Sequence, residues 1–211
     1  MPNNFEQIKK ILKFDRPDMF YYIQLLRRQS DDPKTDPQTS KLYHGNMHSR
    51  SLKNYCIYSL DELEKYEKEI ISLCDQQNCR AYIRLNRRSD EKVSTEMYEH
   101  IYTCMKGHTF KRPTGLLPSA IGKANAEPKE TRSWLVDLDL DDLSNYDAVL
   151  AAVAQAKSQF AEKIMHKVKT KHGIHLITHP FNKRDYENYL KALGIAVPTI
   201  HEDNPTILYA P

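Results

Sequence analysis

Several features that mark membrane, secreted or disordered proteins are missing from this 211-residue sequence. No apolar run approaches the ~18 residues that a membrane-spanning helix requires. The first residues, MPNNFEQIKK, contain no apolar segment of the kind found in secretory signal peptides. No low-complexity tract indicates disorder. We therefore expect a cytoplasmic protein with no membrane partner.

Cysteine is also scarce, and charge of one sign is missing from two parts of the chain. The four cysteines form no CxxC pair, so we expect reduced thiols. Residues 133–156 contain five aspartates and no Lys or Arg, whereas residues 166–184 contain five Lys or Arg, four His and no acid. Segments of this kind are suited to converge on a site that holds metal and phosphate together.

The apolar spacing predicts an α+β fold in two parts. Residues 4–29 show helical spacing, residues 30–54 are polar and predict a loop, and Ser59 begins a helix with a capping-box pattern. From residue 79 the predicted order is β-α-β-α-β-β-α-β, typical of an antiparallel or mixed sheet backed by helices. We therefore divide the chain into a helical accessory segment, 1–78, and a core, 79–211.

The stretch VDLDLDD at residues 136–142 is the first candidate site. Side chains alternate along a strand, so Asp137 and Asp139 share one face and lie ~7 Å apart. Two hard oxygen ligands at that spacing suit Mg²⁺ or Mn²⁺, with positions left open for phosphate. Asp141 and Asp142 are expected in the turn that follows. The alternative is an acidic strand end with no metal.

The stretch KVKTKHGIHLITHPF is the second candidate site, and it reads as two strands around a turn at His172-Gly173. Thr170 and Lys171 precede the turn and His175 follows it. A hydroxyl, an ammonium and an imidazole grouped in this way are suited to bind phosphate oxygens. The alternative is a hairpin that carries a surface histidine.

Together the two stretches resemble the archaeo-eukaryotic primase superfamily. The similarity is strongest to primase-polymerases and to the primase-like polymerase domain of bacterial end-joining ligases. That family has a D-x-D or D-x-E pair on an apolar strand, here WLVDLDLD, and a histidine on a later strand, here TKHGIHLI. A third carboxylate follows the next helix, where this sequence has TIHEDNPTILY. The resemblance covers about residues 79–211.

The resemblance implies a primase-like catalytic core with an RRM- or ferredoxin-like mixed sheet. It also implies a set of site residues. The third carboxylate of that set is Glu202 or Asp203, which would face opposite ways on a regular strand. The implied metal ligands for Mg²⁺ or Mn²⁺ are Asp137, Asp139 and Glu202 or Asp203. The implied phosphate-binding residues are Thr170, Lys171 and His175, with Arg84 and Arg88 to neutralise template or triphosphate charge.

The implied activity is nucleotidyl transfer from nucleoside triphosphates on a DNA template or primer, in replication or repair. We expect any helicase or other replication function to come from a separate protein, as in a phage or mobile element. The alternatives are a metal-dependent nuclease and a non-catalytic nucleic-acid-binding module. A nuclease uses the same aspartates without needing a triphosphate-binding group, and a binding module of RNA-recognition type needs exposed aromatics on its central strands.

Overall fold

The computed structural model describes residues 1–32, 48–109 and 115–211. Within these ranges the chain forms six α-helices: α1 (Phe5–Lys9), α2 (Leu60–Gln77), α3 (Asp90–Lys106), α4 (Leu116–Lys123), α5 (Tyr146–Gln155) and α6 (Lys183–Ala192). It also forms nine strands: β1 (Met19–Arg28), β2 (Ser49–Ile57), β3 (Arg80–Ile83), β4 (Arg88–Ser89), β5 (Trp134–Asp139), β6 (Ile164–Lys169), β7 (Gly173–Thr178), β8 (Thr199–His201) and β9 (Thr206–Tyr209).

The strands form two sheets, which we call sheet A and sheet B. Sheet A has the order β2-β1-β3-β9, with β4 paired to β1, and sheet B has the order β6-β7-β5-β8. The predicted α+β class is confirmed. The predicted mixed sheet is not found, because every strand pairing in the described ranges is antiparallel.

The prediction of a helical segment over residues 4–29 is wrong beyond α1. Residues 19–28 form β1, the longest strand of sheet A. Tyr21, Ile23 and Leu25 enter one core cluster, whereas Phe20 and Tyr22 enter another on the opposite face. A strand that is buried on both faces shows no polar–apolar alternation, and its aromatic and β-branched residues are the remaining sign of its type.

The loop predicted over residues 30–54 is also wrong in part, because β2 begins at Ser49. Residues 33–47 of that loop lie outside the described ranges. Strands β1 and β2 join β3 and β9 in sheet A, so the proposed boundary after residue 78 falls between strands of one sheet. The division into accessory segment and core stays a prediction.

Several predicted element ends are confirmed. The side chain of Ser59 accepts a hydrogen bond from the backbone N–H of Glu62 and so caps α2. Asn182 caps α6 in the same way, and Gly194 follows that helix with φ of 69°. The connection predicted over residues 111–130 is less irregular than expected, since it contains α4.

The two faces of β5 lie in different cores, as the alternation predicts. Leu135 belongs to the large cluster formed by sheet A, α1 and α2, together with Val168 and Ile177 from sheet B. Val136 and Leu138 point the other way, into the cluster covered by α5 and α6. The face of β5 that carries Leu135 also carries the aspartates, so these lie beyond the edge of the larger core.

Strands β5 and β7 approach each other closely at Gly173. A Cβ atom at this position would overlap the carbonyl oxygen of Leu138 on β5. Gly173 stands opposite Asp139, and two residues further along the same ladder His175 stands opposite Asp137. The missing side chain at residue 173 therefore permits the register that brings the two candidate stretches together.

No helix in the described ranges combines the length and apolarity needed to cross a membrane.

Replacing Gly173 with Ala should destabilise the protein by more than about 3 kcal/mol, because the added methyl meets fixed backbone rather than a movable side chain. Chemical denaturation measures the change. The matched control is Gly122→Ala in α4, where a Cβ meets nothing within 4 Å and alanine favours the helix. Equal stability of the two variants would contradict the close approach of β5 and β7.

Candidate functional site

Asp137 and His175 stand directly opposite each other on β5 and β7. Residues opposite each other in an antiparallel ladder present their side chains on the same face of the sheet. The Asp137 Oδ1 atom lies 3.2 Å from His175 Nε2. The first and second candidate stretches therefore meet at one point, which sequence spacing alone does not show.

The carboxylate of Asp137 is stabilised in its ionised form. The hydrogen bond from His175 lowers the pKa of Asp137 below its ordinary value, and it outweighs the opposite effect of partial burial. Asp137 is therefore an anion at neutral pH, and its oxygens are able to bind a cation or to accept a hydrogen bond.

The other ring nitrogen of His175 is held by Thr206 at the start of β9. The Nδ1 atom of His175 lies 2.8 Å from Thr206 Oγ1, and Thr206 is fully buried. Since the ionised Asp137 only accepts, the hydrogen of a neutral imidazole lies on Nε2 and the Thr206 hydroxyl donates to Nδ1. The contact fixes the ring with its Nε2–H directed at the carboxylate.

Asp137 and His175 line a cavity of about 300 Å³ between sheets A and B, which we call the cleft. Sheet B supplies Asp137, Asp139, His175, His201 and the turn residues 170–172. Sheet A supplies Leu26, Arg28, Tyr82 and Ile207. Five of the predicted site residues thus share one cavity: Asp137, Asp139, Thr170, Lys171 and His175.

Lys171 is tethered at the mouth of the cleft by Asp31. The Lys171 Nζ atom lies 2.8 Å from Asp31 Oδ1, and Arg80 donates to the same carboxylate oxygen. Burial alone would raise the pKa of Asp31, but the hydrogen bonds from Arg80 and Lys171 leave it below its ordinary value. The tether places an ammonium close to the cleft without burying it, since Lys171 stays partly exposed.

The predicted third carboxylate is not brought to Asp137 and Asp139. Asp203 accepts a hydrogen bond from Arg88 at 2.8 Å and another from Asn86 at 3.1 Å. Glu202 forms an ion pair with Lys183 at 2.6 Å. Neither residue lines the cleft.

The two predicted phosphate-binding arginines lie elsewhere as well. Arg88 is fully buried, and its guanidinium donates to Asp203 and to the backbone oxygens of Asn86 and Ile121. Arg84 donates to the backbone oxygen of Asp203 at 2.7 Å. Both arginines therefore organise the turn between β8 and β9, outside the cleft.

The remaining aspartates of the acidic stretch follow the prediction. Asp141 and Asp142 lie in a 3₁₀ turn over Leu140–Asn145. The Asp142 side chain accepts a hydrogen bond from the backbone N–H of Asp139 at 3.0 Å. Asp142 thus stabilises the end of β5 at the position where Asp139 leaves the strand.

The donor set of the cleft fits a hard divalent cation in part. Asp137 and Asp139 supply carboxylate oxygens, the ligands that Mg²⁺ and Mn²⁺ prefer, and their single face leaves room for phosphate and water. In the described ranges no group of three or more His, Cys, Asp or Glu side chains is placed to hold a metal ion. Substrate oxygens would therefore have to complete the coordination.

Sequence reasoning missed His201, Thr206 and the residues that sheet A contributes. His201 lies on β8 and stands opposite Leu135 of β5, so its side chain is on the face that carries the aspartates. His201 directly precedes Glu202 in TIHED, and neighbouring residues on a strand face opposite ways. The alternation along this strand could therefore have identified His201 as the residue that faces the aspartates. Thr206 and the residues of β1 carried no local signal. Only the packing of the two sheets brings Thr206 to His175 and the β1 residues to the cleft.

Comparisons of this chain with protein-family models, with curated proteins and with solved structures found no match. The resemblance to the primase superfamily stays a prediction that rests on the residue pattern.

Replacing Thr206 with Val should release the His175 ring, because valine keeps the shape of threonine and removes its hydrogen-bond donor. The expected loss of stability is about 1–2 kcal/mol, together with a change in the ¹⁵N chemical shifts of His175 Nδ1 and Nε2. NMR spectroscopy of the ring nitrogens measures the tautomer directly.

The matched control for this change is Thr178→Val on β7. Thr178 is also fully buried, and in the described part of the chain its hydroxyl has no hydrogen-bond partner. That variant should leave the His175 nitrogens unchanged. If Thr206→Val leaves them equally unchanged, Thr206 does not orient the ring.

Proposed function

We propose that this protein is a nucleotidyltransferase of the primase-polymerase type. It would use divalent metal ions and nucleoside triphosphates on a nucleic-acid template, in DNA replication or repair. The observation that carries the proposal is the direct contact of Asp137 with His175 in a cleft that also contains Asp139, Thr170 and Lys171. This set combines hard anionic ligands with phosphate-binding donors, the two groups that phosphoryl transfer from a triphosphate requires.

Each cleft residue has a chemical task in this proposal. Asp137 and Asp139 would hold Mg²⁺ or Mn²⁺, which would neutralise triphosphate charge and favour ionisation of an attacking hydroxyl. Once a cation engages the Asp137 carboxylate, His175 would donate its Nε2 hydrogen to a phosphate oxygen instead, while the Thr170 hydroxyl and the Lys171 ammonium bind further oxygens. In the transfer, the 3′-hydroxyl oxygen bonds to the α-phosphorus, its proton leaves, and the bond to pyrophosphate breaks.

A metal-dependent nuclease is the second candidate, and two observations favour it. The predicted third carboxylates, Glu202 and Asp203, are engaged by Lys183 and Arg88. The strand before them places His201 in the cleft instead. Imidazole and carboxylate groups around a metal-bound water are suited to phosphodiester hydrolysis. Without a third carboxylate the cleft is also able to bind nucleotides with no transfer.

The cellular setting is part of the same proposal. A chain of this kind would serve a bacterial, phage or mobile-element replicon in the cytoplasm. Unwinding of the template would come from a separate helicase or replication protein. Arg84 and Arg88 have no direct part in this proposal, because they support the β8–β9 turn instead of facing the cleft.

Replacing Asp137 and Asp139 together with Asn should abolish primer extension and de novo priming, measured with labelled nucleotides and Mg²⁺ or Mn²⁺. The loss should be at least about 100-fold, as expected when metal-binding oxygens lose their charge. The matched control is Asp141→Asn, which changes a carboxylate of the same stretch that does not line the cleft. Parallel reactions with DNA and Mn²⁺ but no nucleotides measure nuclease activity.

Each result has a distinct meaning. Extension by the wild type that fails only in the double variant supports nucleotidyl transfer at this cleft. Cleavage of DNA that fails in the same variant supports the nuclease. Undiminished extension in the double variant would rule out the proposed site.

A further inference from the structure

Part of sheet A next to the cleft has a face that is open to solvent. Along this part, β1 and β2 place Gln24, Leu26 and Arg28 on one face, opposite Asn54, Ser51 and Ser49. Arg28, Ser51 and Asn54 are exposed, and Gln24 donates to the Ser51 hydroxyl at 3.2 Å. We call these six residues the open face. On the reverse side of the same strands, Ile23 and Leu25 are buried against α2.

Arg28 is the cation of the open face. Its guanidinium carbon lies 5.1 Å from the centroid of the Tyr82 ring. The side chain is exposed, and within the described ranges it forms no ion pair with a carboxylate. The neighbouring acids are already engaged, since Asp31 binds Arg80 and Lys171, and Asp32 binds Arg27. The guanidinium thus lies over an aromatic ring while its charge remains available.

The open face and the cleft share the residues Leu26 and Arg28. A groove of about 670 Å³ is lined by Arg28, Leu26, Ser49 and His48. Leu26 and Arg28 also line the cleft that contains Asp137 and His175. The two depressions therefore adjoin at Leu26 and Arg28, and together they extend as a path from the ends of β1 and β2 to the carboxylates.

We propose that the open face binds a single strand of nucleic acid and that Arg28 is its main contact. An exposed guanidinium that lies over the Tyr82 ring offers a base a planar group on which to stack, and its charge attracts the adjacent phosphate. The hydroxyl and amide groups of Ser49, Ser51 and Gln24 are suited to sugar and base edges. That the strand then runs toward reacting phosphates rests on the proposed function, but its binding to the open face does not.

The shape and charge of the path favour a single strand over the other polyanions. The path ends in a cleft of about 300 Å³ that residues of both sheets line, a volume that suits separate, unpaired nucleotides. An acidic polypeptide would satisfy the charge of Arg28, but it would leave the guanidinium plane without a stacking partner. The chemistry of the open face therefore favours a partner with both phosphates and planar bases.

The experiment measures binding of the full chain to a fluorescein-labelled oligodeoxythymidine by anisotropy, without metal or nucleotide and over a series of salt concentrations. Arg28→Ala should weaken binding by about tenfold, the effect of losing one stacked base. It should also reduce the slope of log K against log salt by about one. Arg28→Lys should weaken binding with little change of slope, because lysine keeps the charge and loses the plane.

The matched control is Arg50→Ala. Arg50 is exposed on β2 and stands opposite Arg27 in the β1–β2 ladder. Its side chain therefore lies on the reverse face from that of Arg28. This variant should bind the strand as the wild type does. Thermal unfolding of each variant should match the wild type, since Arg28 is a surface residue.

Three results would overturn the inference. They are absence of binding by the wild type, equal weakening by Arg28→Ala and Arg50→Ala, and equal competition by duplex DNA or polyglutamate. The double variant Asp137→Asn/Asp139→Asn separates this inference from the proposed function. If it binds the strand through Arg28 and no form of the protein transfers nucleotides, the open face stands and the proposed function fails. If the wild type transfers nucleotides but its binding of the strand does not depend on Arg28, the proposed function stands and the inference about the open face fails.

Discussion

The register of β5 against β7 is the constraint on which the rest of the site depends. It places Asp137 opposite His175 and Asp139 opposite Gly173. A shift of one residue would turn the aspartates into the core that contains Val136 and Leu138, because side chains alternate strictly along a strand. The burial of those apolar residues therefore holds the acidic groups on the face of the cleft, and Gly173 permits the strands to come that close.

In the turn between β8 and β9, the buried Arg88 engages the carboxylate of Asp203. Burial lowers the pKa of Arg88, which still stays protonated, and Asp203 opposes that effect as its partner. Removing Asp203, whose side chain is 26% exposed, would leave the fully buried Arg88 charge without its carboxylate, and for a fully buried pair such a loss costs roughly 3–5 kcal/mol. Asp203 therefore stabilises the fold around Arg88, and it is not available to a cation in the cleft. Lys183 engages Glu202 in a weaker, more exposed pair.

The sequence predicted the strands of sheet B and missed β1 and β2 of sheet A, for a physical reason. Strand β5 alternates polar and apolar residues, so its type and its two faces are visible in the letters. Strand β1 is buried on both sides over Met19–Ile23, and its apolar spacing passed for helix. The contribution of Leu26 and Arg28 to the cleft was lost with that error, and so was the open face beside it.

The sequence by itself determined the α+β class, the shared face of Asp137 and Asp139, and the grouping of Thr170, Lys171 and His175 around one turn. These follow from local periods and turn chemistry, which act over a few residues. Only the tertiary structure decided that Thr206 holds His175, that Asp31 tethers Lys171, and that Asp203 belongs to Arg88. Those contacts join residues 31, 140 and 115 positions apart, and no local pattern encodes a pairing across such distances.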